Sequence, residues 1–164
     1  MSVDSLTSLI RQYDDREVDV SLFGNVPVLP VEETLLQLAI ISSGDSGHLV
    51  TGKQKLAQKV WLELTTELGS MTFAPERGSG FFSSLRANRP RTPVELLARF
   101  ALAAEDIKAI LRADELETDP DDERLLAITA TNAVIDRNRV ELTLEILAAD
   151  NQTIEIIAPI PLTV

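Results

Sequence analysis

Glu76 is the acidic residue of the glycine-rich stretch Ala74-Pro75-Glu76-Arg77-Gly78-Ser79-Gly80, the first place to look for acid–base chemistry. Glycoside hydrolysis needs two carboxyl groups roughly 5–10 Å apart across a sugar cleft, and nothing in the spacing marks a partner for Glu76. Gly78-Ser79-Gly80 resembles a phosphate cradle only superficially. A P-loop runs into Gly-Lys-Ser/Thr at a helix start, whereas Phe81-Phe82 follows here. The glycines suit a tight loop that another backbone approaches closely. The acidic run 114–123, ending Asp119-Pro120-Asp121-Asp122-Glu123, lacks the alternating ligands and glycine of a calcium loop and reads as a solvated connection. With His48 as the single histidine and no cysteine, histidine triads, zinc sites and disulfides cannot be assembled. The expectation is a protein that is not an enzyme and has no catalytic residue, cofactor or metal ligand.

Composition points the same way. The chain has 164 residues, 45% hydrophobic but only 4% aromatic, so its core must be built from Leu, Ile, Val and Ala. A formal net charge of −11 argues against nucleic acid, whose phosphates require clustered Lys and Arg, and suits basic protein surfaces. Met1-Ser2-Val3-Asp4 does not begin a signal peptide, and no apolar run approaches the ~20 residues that span a bilayer. No membrane partner is expected, and the chain is expected to act in a cytoplasm or in particles assembled there.

The elements that would position any site fall into two parts. Residues 1–43 read as an arm. Leu6, Leu9 and Ile10 predict a helix over 5–12; Val18, Val20 and Leu22 alternate as a strand; Leu35, Leu36, Leu38 and Ala39 suggest a short helix over 31–41. Residues 44–164 read as the main domain. Leu56, Val60 and Leu64 predict a helix over 53–66 with Trp61 on its core side and Gly69 as its C-cap. Thr92-Pro93-Val94-Glu95 combines an N-cap, a first-turn proline and a capping-box glutamate, and predicts a helix ending near Arg112 or Ala113. Leu126, Ile128 and Ala130, then Val140, Leu142, Leu144 and Ile146, alternate as two strands, and 153–158 makes a last strand before Pro159 and Pro161, with turns at Asp136-Arg137-Asn138 and at Asp150-Asn151-Gln152. The predicted class is α+β, with helices packed on a small antiparallel β-meander at the C-terminal end.

The order Thr51-Gly52, Gln58, Leu64-Thr65, Gly69 and Pro75-Glu76-Arg77-Gly78-Ser79, followed by a helix and a meander, resembles the small baseplate wedge family of contractile phage tails and related injection machines, whose members initiate the tail sheath. The sequence departs from that pattern at Gly69-Ser70, where Gly-Glu is usual, and at Arg77, where an aromatic is usual. Glu123-Arg124 stands where many members carry Glu-Pro-Arg. The resemblance implies a virion structural protein of the tail baseplate, assembled in the host cytoplasm and present in several copies in a ring. Its partners would be the tail sheath protein and other wedge and hub or tube proteins.

Within that resemblance the expected partner-binding residues are Pro75, Glu76, Arg77, Gly78, Glu123, Arg124, Ile154, Glu155, Ile156 and Ile157. The last four form an apolar strand near the C-terminus. At a sheet edge it would offer unpaired backbone groups to a neighbouring sheath strand, and proline at Ile156 would remove one while leaving the fold intact. Arg77, Arg86, Arg89 and Arg91 form a basic neighbourhood that could pair with acidic partners. Two other readings of the chain are a tail-associated peptidoglycan hydrolase and a cytoplasmic protein–protein adaptor.

Overall fold

Thr92 starts the longest helix as its sequence predicts. Its hydroxyl accepts the Glu95 N–H at 3.2 Å and Pro93 takes the first helical position, but the Glu95 carboxylate reaches back to the N–H of Arg91 at 2.9 Å. The computed structural model describes residues 51–136 and 139–161, together with the backbone of three short strands earlier in the chain. The elements are β1 (Asp19–Val20), β2 (Leu35–Gln37), β3 (Leu49–Val50), α1 (Lys53–Thr65), α2 (Phe81–Ala87), α3 (Pro93–Asp114), a 3₁₀ turn (Asp121–Glu123), β4 (Leu125–Ile135), β5 (Arg139–Ala148) and β6 (Thr153–Pro161). The predicted helix over 5–12 and the turn around His48 lie outside the described residues.

The class is α+β. Strands β4, β5 and β6 form an antiparallel meander, and β2 adds to β6 in parallel, giving the order β2-β6-β5-β4. A separate pair joins β1 to β3. Asn151 takes a positive φ of 62° in the turn from β5 to β6, a conformation asparagine tolerates.

One face of the sheet is core. Rows run across three strands: Ile128, Ile146 and Ile154; Ala130, Leu144 and Ile156; Ala133, Leu142 and Ala158. Against this face lie Leu56, Val60 and Leu64 of α1 and Leu96, Phe100, Ile107 and Leu111 of α3. Phe81 of α2 meets Phe100 edge-on at 5.8 Å, filling the corner between two helices. Trp61 packs against this core while remaining partly exposed. The opposite face carries Glu141, Thr143, Glu145, Glu155, Ile157 and Pro159.

Four expectations are corrected. Residues 35–37, expected in a helix, form a strand, because the parallel ladder on β6 outweighs a local helical spacing of leucines. Helix α1 ends at Thr65 with Thr66 extended as its C-cap, and Gly69 takes its positive φ of 79° in the loop beyond. In β4 the register shifts between Leu125 and Ala127 and between Ala130 and Asn132, so Leu126 is pushed to the exposed side and Leu125 takes the core position. Finally, Ile156 is fully buried and sits between β5 and β2, so proline there would break the core and leave no intact fold to test.

This layering yields a prediction. Ile156→Ala should destabilise the fold by about 3 kcal/mol in urea unfolding, and Ile157→Ala, on the outer face, by about 1 kcal/mol or less. Equal losses would mean that the two faces are misassigned.

Candidate functional site

Two carboxylates fasten the motif loops to α1, one at each end. At the start, Gly52 is the N-cap residue and offers no side chain to the open helix N–H groups. Glu123, far away in sequence, fills that role. Its Oε1 accepts the Gly52 N–H at 2.8 Å and the Thr51 hydroxyl at 2.8 Å, while Oε2 pairs with Lys55 Nζ at 3.0 Å. Both side chains of the pair are buried. Burial pushes the Glu123 carboxyl up, but the Gly52 N–H, the Thr51 hydroxyl and Lys55 together hold it below the ordinary carboxylate value. The acidic run therefore ends in a buried structural anchor, which corrects the expectation of a wholly solvated connection.

At the other end, Glu63 projects from α1 beneath the Pro75-Glu76-Arg77-Gly78-Ser79 loop. Its Oε2 accepts the Gly78 N–H at 2.7 Å, and Oε1 pairs with Arg77, which also pairs with Asp114 at the end of α3. Ser79 is buried; its N–H donates to Thr66 O at 2.9 Å and its hydroxyl to Leu64 O at 3.2 Å. Gly78 has a φ of 95°, and a Cβ there would stand 2.5 Å from Thr66 O. Only glycine lets the loop lie this close to the helix end.

The ten expected partner-binding residues thus divide. Gly78 and Glu123 are buried within the chain, and Arg77 is engaged by two carboxylates. Pro75 and Glu76 are exposed on the loop; Arg124 is partly exposed, with Asp121 3.5 Å away. Ile154 and Ile156 face the core, leaving Glu155 exposed and Ile157 half-buried on the outer face. The loop and β6 are separate surfaces. The basic neighbourhood is also partly used internally: Arg86 pairs with Glu67 at 3.2 Å, and Arg89 donates to Asp136 O at 3.3 Å.

Sequence reasoning missed Glu63 and the inward use of Glu123. Glu63 did leave a signal, because it falls within the apolar stripe of Leu56, Val60 and Leu64, where a charge must find a buried partner. Glu123 left none locally, since its partners lie at Thr51, Gly52 and Lys55.

The edge of β6 is shaped by Pro159 and Pro161. Pro159 opposes Glu141 and has no N–H, so this pair cannot be a hydrogen-bonded one. By alternation, Glu155 and Ile157 also direct their backbone groups away from β5. The side they face is where Leu35–Gln37 pairs, with Leu36 opposite Ile156. Beyond Ile157 the two prolines leave the edge without donors at alternate positions. Glu155 also stands directly across from Glu145, a like-charged pair on the outer face.

No protein-family model matches this sequence, and searches of curated proteins and of solved structures return no significant match.

The Glu123 anchor predicts a pH dependence. Its folded pKa is depressed, so its stabilisation is complete above the unfolded value of about 4.3 and is lost as pH falls through the lower folded value. The stability difference between wild type and Glu123→Gln should therefore be constant from pH 5 to 7 and shrink below about pH 4. A difference independent of pH down to acid unfolding would contradict the ionised anchor.

Proposed function

We propose that this protein is a structural subunit of a contractile-tail baseplate wedge, and that it starts sheath assembly by accepting a strand at β6. Two things support the reading: the motif order shared with the wedge family, and a meander whose outer strand is completed by three residues of a distant arm. The second carries it. A three-residue parallel ladder is a small attachment, since pairing is somewhat weaker per residue in parallel than in antiparallel ladders. A longer strand from a partner would gain more hydrogen bonds on the same β6 groups. Pro159 and Pro161 confine such a strand to the stretch around Thr153 to Ile157, so it must displace β2.

In this account the tail sheath protein supplies the incoming strand, and other wedge and hub or tube proteins hold the subunit in a ring of copies. The opposed Glu145 and Glu155 favour a strand carrying lysine or arginine on that face. The buried Glu63 and Glu123 serve as fasteners of the scaffold.

Proline at Ile157 is the informative variant. It removes a donor on the outward side of β6, the side where Pro159 is already tolerated, and leaves the β5 ladder intact. Baseplates assembled with Ile157→Pro should form normally but remain without sheath in negative-stain micrographs, while circular dichroism of the isolated protein is unchanged. Full-length sheaths on those baseplates would rule out strand exchange at β6.

A further inference from the structure

The segment from Thr66 to Ser79 closes on itself at its base. Ser79 N–H donates to Thr66 O, Leu68 N–H to Ser79 O at 3.2 Å, and Gly69 N–H to Pro75 O at 3.1 Å. Inside it, Ser70 N–H donates to Glu67 O, Ala74 N–H to Met71 O and Arg77 N–H to Ala74 O. Most of its turns are bonded within the loop, and its foot is held by Glu63 on Gly78. It has the character of an Ω-loop, a compact surface loop with adjoining ends.

What this anchored loop presents is apolar. Phe73 is fully exposed, at 101% of its reference area, and Leu68 and Met71 are about half exposed; Leu62 of α1 is also exposed. A large aromatic held in water on an ordered loop gains nothing for the fold, since it covers no core residue. It does suit binding, because aromatic anchors dominate interface energetics and a loop already ordered loses little entropy on docking.

The surroundings indicate what would receive it. At the foot of the loop the outward carboxylates are Glu67, Glu76 and Asp114; Arg86 pairs with Glu67, and Arg77 is shared between Asp114 and the buried Glu63, so negative charges outnumber positive ones there. This negative rim would repel an identical rim on a second copy, and it would be repelled by an anionic lipid surface. It complements an apolar pocket bordered by lysine or arginine.

We infer that the Leu68, Met71 and Phe73 tip is a docking knob that seats Phe73 in an apolar, basic-rimmed pocket of another protein. This goes beyond the β6 reading and stands without it.

The test uses the full chain with p-benzoylphenylalanine in place of Phe73, irradiated in the cells that produce it, with the adduct mapped by peptide sequencing. The protein found is then titrated by calorimetry against wild type, Phe73→Ser and Leu102→Ser; Leu102 is an exposed control on α3. The expected result is an adduct to one other protein, on residues lining an apolar pocket with lysine or arginine at its border. Binding should weaken about 30-fold for Phe73→Ser and less than about 2-fold for Leu102→Ser, with unchanged thermal midpoints. Adducts to a second copy of this chain, to lipid, to many unrelated proteins or to none would overturn the proposal, as would equal weakening by both variants.

Discussion

The Glu123 carboxylate is the contact on which the arrangement of this protein depends. It joins the start of α1 to the turn that leads into β4, and so fixes the first helix relative to the first strand of the meander. A buried ion pair by itself is weak evidence for stability, because desolvation offsets much of the attraction. Here the carboxylate also closes a helix end that has no cap of its own, so losing it would leave the Gly52 N–H and the Thr51 hydroxyl without this acceptor. Glu63 repeats the device at the other end of α1, again by accepting a glycine N–H. With both ends held, α1 becomes a bar to which the loop at 66–79 and the turn at Asp121–Glu123 are fixed.

That rigidity explains how residues with the look of a site become scaffold. Thr51-Gly52, the Pro-Glu-Arg-Gly-Ser loop and Glu123 are the positions whose residue types suggest a site, and several of them meet inside the chain through these two carboxylates. Among the surfaces left outward are the loop tip and the β6 edge. Both are formed of backbone and apolar groups with carboxylates beside them, a character that suits docking to protein. The β6 edge has a further constraint: its prolines end the pairing surface just past the residues that the arm occupies.

Legibility in the sequence followed the range of the interactions. The α3 helix could be read from Thr92, Pro93 and its apolar stripe because caps and periodicity act within a few residues. The alternation of β5 is equally plain. Strand β6, expected to stop at Ala158, runs on to Pro161, because Pro159 stands where no N–H is owed to β5. The extra residues Leu126 and Thr131 in β4 shift the core side in a way strict alternation does not anticipate. The leucine spacing around Leu35-Leu36-Gln37 predicts a helix, because what makes this segment extended is the distant Glu155-Ile156-Ile157. The inward roles of Glu63 and Glu123 were hidden for different reasons. Glu63 showed itself only as a charge in an apolar stripe, and Glu123 depends on contacts across 71 and 72 positions of sequence.

The central claim is that Glu155 and Ile157 turn their backbone groups to an edge that the chain's own arm covers. Amide hydrogen exchange in the full chain and in a chain lacking residues 1–40 measures this directly. The account predicts that Glu155 and Ile157 lose protection when the arm is removed, while Ile154 and Ile156, bonded to β5, keep theirs. Unchanged protection at Glu155 and Ile157, or equal loss along the whole strand, would contradict it.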